Sequence, residues 1–214
     1  MTHLQPDCRI YLVVEATPAA VEHLTAAAAA ADVACCLIVP PEGAAIEAAA
    51  ARSLVAAAQQ AGVAALLAEA PDLARSLRAD GVHMRPTRQL LDAYAAVRQS
   101  LGRDAIIGAD VGISRHDAMS LAEAGADYIA FGAPPHLKDG PRARERRDDL
   151  VLWWGEIFEV PCVALDVDGP AEAERLARAG ANFVAVTVPG SSAATTGALV
   201  AEIGAAIANK AAAD

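Results

Sequence analysis

The chain has 214 residues, a net charge of −10 and 55% hydrophobic residues, a share inflated by alanine. Such a length and apolar content can bury the core of one sizeable domain, and nothing in the chain resembles a linker between domains. The acidity argues against non-specific nucleic-acid or anionic-membrane binding. No apolar stretch approaches the ~18 residues of a bilayer span, and Met1–Pro6 lacks the pattern of a signal peptide, so a cytoplasmic protein is expected.

In chain order, an apolar strand Arg9–Val14 is followed by a helix over Ala19–Ala31, and the strand Val33–Val39 by a helix over Ala44–Ala61. The strands Val63–Ala68 and Gly81–Met84 come next, then a helix over Gln89–Leu101, the strand Ala105–Ala109 and a helix over His116–Ala124. Tyr128–Gly132, Val160–Leu165 and Phe183–Val188 complete the strands, with helices over Ala171–Ala179 and Thr196–Ala208. Runs rich in Val, Ile and Leu with little polar alternation suit strands buried on both faces of a parallel sheet. Eight such strand–helix units predict a closed (β/α)8 TIM barrel, an α/β fold, as one domain over residues 1–214. In that fold chemistry belongs to the loops at the carboxyl ends of the strands.

Several local features also fit plain structural roles. Cys8, Cys35, Cys36 and Cys162 include no Cys-x-x-Cys pair, so they read as core filler in a reducing compartment rather than zinc ligands. The run His136–Arg147 carries five Lys/Arg against two acids and follows the sixth strand. It reads as a solvated loop leading into a helix, with a phosphate clamp as the sharper alternative. Trp153-Trp154 reads as packing or an interface, and His83, taken alone, as a packed and hydrogen-bonded histidine.

Taken together, a set of segments resembles the thiamine phosphate synthase family and its sister branch, the thiazole tautomerases. Asp80-Gly81-Val82-His83-Met84 is similar to the family's Asp-Gly-Val-His-Leu at strand four. Arg9-Ile10-Tyr11-Leu12-Val13-Val14, Ile106-Ile107-Gly108, Gly125-Ala126-Asp127-Tyr128-Ile129-Ala130-Phe131-Gly132 and Val160-Pro161-Cys162-Val163-Ala164 match other strands in the right order. The resemblance implies joining a pyrimidine diphosphate to a thiazole phosphate, with release of pyrophosphate and assistance from Mg²⁺. Such chemistry needs carboxylates for the metal, cations for the diphosphate, and glycine-rich turns for the thiazole phosphate.

At those places the chain departs from the family pattern. Ala68-Glu69-Ala70 stands where the family has Asn-Asp-Arg, and Arg85-Pro86-Thr87-Arg88 replaces Gly-Gln-x-Asp. The strand-two cations fall within the uncharged Cys36–Pro41, Asp110 stands near the family's serine, and Leu165-Asp166-Val167-Asp168 replaces Ile-Gly-Gly-Ile. By resemblance the candidate site comprises Lys138 and His83 as catalytic groups and Glu69 as a metal ligand. Arg85, Arg88, Asp110, Gly132, Asp166, Gly190 and Ser191 would be its substrate contacts. Both charge signs occur at the rim, so the acids are expected to pair with Arg85, Arg88 and Lys138 across the mouth. Three readings follow: a synthase with a degenerate site, a non-catalytic or regulatory relative that binds a small anion, and a thiazole-tautomerase-like isomerase. The expected partner is a small phosphorylated or carboxylate ligand, with neither nucleic acid nor membrane, and a homo-oligomer is compatible with the chain.

Overall fold

A computed structural model describes residues 8–133, 140–188 and 192–208. Its strands are β1 (Arg9–Glu15), β2 (Val33–Val39), β3 (Ala64–Ala68), β4 (Gly81–Met84), β5 (Ile106–Asp110), β6 (Tyr128–Phe131), β7 (Cys162–Ala164) and β8 (Phe183–Thr187). All pair in parallel with their sequence neighbours, and β1 closes on β8 from Arg9↔Phe183 to Val13↔Thr187, giving the closed eight-stranded barrel that the alternation predicts.

The helices are α1 (Ala20–Ala30), α2 (Ala48–Gln60), α3 (Pro71–Leu77), α4 (Leu90–Leu101), α5 (Arg115–Glu123), α6 (Gly140–Ile157), α7 (Pro170–Arg178) and α8 (Ala193–Ala208). Alanine favours helix at little entropic cost, and Ala20 and Ala27 of α1 and Ala51 and Ala58 of α2 are buried. Proline opens α3 and α7 at the first turn, where its missing N–H costs nothing. Ser114 caps α5 by accepting the Asp117 N–H at 3.2 Å. Among the described residues no helix is long and apolar enough to cross a membrane.

Alternation along each strand sorts the side chains into two cores. Ile10, Leu12, Val14, Cys36 and Ile38 point outward into the layer beneath the helices. Tyr11, Cys35, Leu37, Leu66, Ala68, Tyr128, Ala130, Val163 and Ala185 fill the barrel lumen. Adjacent Cys35 and Cys36 therefore face opposite sides, as strand geometry requires. All four cysteines are buried. Burial pushes the Cys36 thiol up to about 12 and the Cys162 thiol to about 11, which suits inert filler.

The tryptophan pair packs as expected. Trp154 is fully buried, stacks on Phe158 with centroids 4.0 Å apart, and donates its indole N–H to the Val160 carbonyl at 2.7 Å. Trp153 carries the Arg115 guanidinium over its face, 4.4 Å from the centroid.

Candidate active site at the carboxyl ends of the strands

The barrel mouth holds a cavity of about 900 Å³ with mostly apolar walls, from Val13, Leu37, Val39, Ala68, Leu165 and Ala185. Its polar lining comes from His83, Arg85, Asp110, Ser114, Asp166 and Thr187. The structure thus brings His83, Arg85, Asp110 and Asp166, all candidates from the sequence, to one opening. Arg88 is exposed on the turn after β4 and does not line the cavity. Lys138, Gly190 and Ser191 lie outside the described residues.

His83 forms the floor. Its ring is buried beside two lumen phenols, with Nδ1 2.8 Å from the Tyr128 hydroxyl and 3.3 Å from that of Tyr11. The two hydroxyls are 2.8 Å apart. Burial, reinforced by the nearby Arg85 charge, pushes the imidazole down to about 4, so it is neutral at pH 7. Tyr128 can then donate to Nδ1 and Tyr11 to the Tyr128 oxygen, an arrangement that assigns the ring proton to Nε2. His83 lines the cavity, and no buried side-chain nitrogen or oxygen among the described residues lacks a partner. The position of His83 on β4 at the cavity follows from the sequence, which carries no comparable signal for Tyr11 and Tyr128, 117 residues apart. Their one signal was a polar hydroxyl at an inward strand position. Gly108 makes the room, since a Cβ there would lie 2.2–2.4 Å from ring atoms of Tyr128.

Below this polar layer lies a second, smaller cavity of about 160 Å³. Arg9, Cys35, Ile106 and Phe183 line it, and Tyr11 and Tyr128 roof it.

The rim carboxylates have different partners from those expected. Glu69 pairs with Arg85 at 3.4 Å, as anticipated, and both side chains are about half exposed. Asp110 and Asp166 instead accept backbone N–H groups: Gly112 donates to Asp110 at 2.7 Å and Ala133 to Asp166 at 3.0 Å. A short side chain at a strand end reaches the adjacent loop more easily than a guanidinium across the mouth, and among the described residues the expected cross-rim pairing is that of Glu69 with Arg85. Burial pushes the Asp110 carboxyl up to about 6; the Gly112 N–H opposes that shift, and the charges of Asp166 and Arg85 act in opposite senses. Glu69 and Asp166 both occupy the left-handed region, at φ 54° and 57°. Left-handed non-glycine residues are uncommon, and these two stand just after β3 and β7 at the mouth. Gly132 spends its N–H on the Gly112 carbonyl, and a Cβ there would meet Leu165 and Asp166 at 3.2–3.3 Å.

Two described arginines of the basic run are spent away from the cavity. Arg144 pairs with Asp168, and Arg147 is sealed from solvent beneath the turn after β7. Position 147 falls on the inward stripe of α6 with Ala143, Leu150, Val151 and Trp154, and this helical phase outweighs its charge. Among the described residues no three His, Cys, Asp or Glu side chains are grouped to hold a metal ion.

A closed barrel of this topology, with its polar groups at the carboxyl ends of the strands, defines the (β/α)8 TIM-barrel class by architecture. Residues 10–188 match the family model for thiamine monophosphate synthase, and the chain belongs to that family. It is 42% identical over 127 residues to a thiamine-phosphate synthase of Erythrobacter litoralis and 41% identical over 126 residues to one of Rhodospirillum centenum. Each alignment covers 58% of this chain and 58% of the relative. Thiamine phosphate pyrophosphorylase from Pyrococcus furiosus superposes with a TM-score of 0.75 at 18% identity, over 97% of this chain and 98% of that one. Tryptophan synthase from M. tuberculosis gives 0.69 at 12% identity, over 95% and 94%. At these identities the two structures share the fold.

Proposed function

We infer that this chain is a divergent member of its family, which takes a small ligand into the barrel mouth and forms thiamine phosphate slowly or not at all. One observation carries the reading. The described charged groups of the cavity are Arg85, which Glu69 already matches, and two further carboxylates, Asp110 and Asp166. Releasing pyrophosphate requires charge stabilisation where negative charge develops, and a rim biased toward carboxylates opposes it. Nor do these residues fit the Mg²⁺ of the family reaction. Glu69 stands beside the Arg85 cation and Arg88 occupies the place of the second family carboxylate, so two positive charges at the metal place disfavour Mg²⁺.

The ligand would be small and carry one phosphate or carboxylate. A half-exposed ion pair such as Glu69–Arg85 contributes only about 0–1 kcal/mol, so Arg85 can exchange Glu69 for a ligand anion. Lys138 would reinforce that charge, Gly190 and Ser191 would offer backbone N–H groups, and His83 would donate from Nε2. The reading is of a single barrel domain acting in the cytoplasm.

Thiamine phosphate formation from the two precursors with Mg²⁺ should fall below the 1–1,000 per second range on the order of which enzymes work. Several turnovers per second would refute the reading, and calorimetry with each precursor would show which one the mouth accepts. A second reading has its own support. Asp110 near 6 beside a neutral histidine is the pairing that general acid–base chemistry requires, which favours a tautomerase-like isomerase. Exchange of a ligand ring proton with deuterium, lost in Asp110→Asn, would favour it.

A further inference from the structure

Arg147 lies in the middle of α6, outside the cavity lining, with none of its side chain exposed. All three of its guanidinium nitrogens are engaged. Nε and Nη2 donate to Asp148 Oδ1 at 3.0 and 2.8 Å, and Nη2 also donates to Glu172 Oε1 at 2.5 Å. Nη1 forks onto the main chain, donating to the carbonyls of Leu165 at 2.6 Å and Asp166 at 2.9 Å. Glu172 extends the clamp, because its Oε2 accepts the Asp168 N–H at 2.7 Å. The turn after β7 is therefore held at residues 165, 166 and 168 from one side.

A buried ion cluster on the helical side of a barrel is ordinarily packing, and its net contribution to stability is small. Two features set this one apart. Its Nη1 reaches two consecutive main-chain carbonyls while Nε and Nη2 hold carboxylates on the other side, a spread of donors that a compact ammonium cannot copy. One of those carbonyls belongs to Asp166, whose left-handed backbone at φ 57° has to be enforced by its surroundings. From that conformation the Asp166 carboxylate reaches the Ala133 N–H and lines the cavity.

We propose that Arg147 is the positioning residue of the cavity mouth: from beneath the turn it locks Asp166 in the left-handed conformation that turns its carboxylate into the cavity, toward Asp110. Arg147 touches no ligand and acts only through Asp166. The inference stands whether or not the protein makes thiamine phosphate, because its test reads a protonation equilibrium in the free protein. Among the described residues the groups facing Asp110 are Asp166 from the turn after β7, Arg85 from the turn after β4, the neutral His83, and the Gly112 N–H of its own loop.

The experiment is a carbon-detected NMR titration of the Asp110 carboxyl, whose midpoint in the parent protein is expected at about 6. Asp166→Asn should lower that midpoint by removing the facing negative charge. Arg147→Met combined with Glu172→Gln, which avoids stranding a buried carboxylate, should lower it too, by about 0.5 pH unit or more, as the freed turn carries Asp166 away and admits water. Arg147→Lys keeps the charge without the fork and should fall between. A folded double variant with the parent midpoint would overturn the proposal and leave Arg147 a packing residue. If the double variant fails to fold, Arg147→Lys decides alone, and an unshifted midpoint there overturns the proposal equally. An unshifted midpoint in Asp166→Asn would overturn it as well, since Asp166 would then not face Asp110.

Discussion

Gly81→Ala should leave the chain unable to close its barrel. A Cβ on Gly81 would lie 1.8 Å from the Ile106 carbonyl oxygen, 2.6 Å from its carbon and 2.9 Å from its Cα. Those atoms are backbone, so no rotamer change relieves the contact. Gly81 also pairs with Leu66 on β3 and with Ile106 on β5, which pins the strand on both sides. Ordinary overpacking costs roughly 1–3 kcal/mol, and a collision with ladder backbone exceeds that range. Against a typical total stability of about 5–15 kcal/mol, loss of the folded state is the expected outcome, read as loss of a cooperative melt by circular dichroism. Gly140→Ala is the control, because a Cβ at that position meets nothing within 4 Å. A Gly81→Ala protein melting within about 2 °C of the parent would contradict the β4–β5 register itself. Gly108→Ala should be milder for the fold and sharper for the site, since the displaced group is the Tyr128 ring that holds His83.

Stability should respond to acid in two opposed and separable senses. The folded protein holds the His83 midpoint at about 4, below the unfolded value near 6.5, so between those pH values the unfolded chain binds more protons. His83 therefore contributes stability above pH 6.5 that is lost as the pH falls toward 4, up to about 3 kcal/mol. Asp110 acts the other way. Its folded midpoint of about 6 lies above the ordinary carboxylate value, so its burial costs stability above pH 6, and that cost fades as the pH falls toward 4. Asp110→Asn keeps an oxygen to accept the Gly112 N–H and should raise the melting temperature at pH 8, with the gain vanishing near pH 4. His83→Gln should flatten the acid limb. Urea titrations across pH 4–8 measure both, and parallel profiles for parent and Asp110→Asn would show that Asp110 ionises freely.

The barrel was legible because its strands are buried on both faces, so Val, Ile and Leu mark them without help from tertiary contacts. Their ends were less so. β7 contains only Cys162–Ala164, shorter than the apolar run Val160–Leu165, because Pro161 has no N–H for the ladder. Strand ends placed Glu69, His83, Asp110 and Asp166 at one mouth, since that follows from topology alone. The phenol pair was hidden because a tyrosine in a strand looks like core, and only the closed barrel brings positions 11, 83 and 128 together. Arg147 was misplaced because its charge was read along the chain, whereas its environment is set by position around the helix. What the carboxylates bond to depends on loop conformation, which side-chain type does not encode.

The layer formed by His83, Tyr11 and Tyr128 makes the upper cavity a blind alley. With the lumen stopped below, a ligand can enter and leave only past the rim of Arg85, Asp110 and Asp166. Any chemistry here that used two molecules would have obligatory traffic. The molecule resting on His83 would arrive first, and its product would depart last, with the second partner acting as its cork.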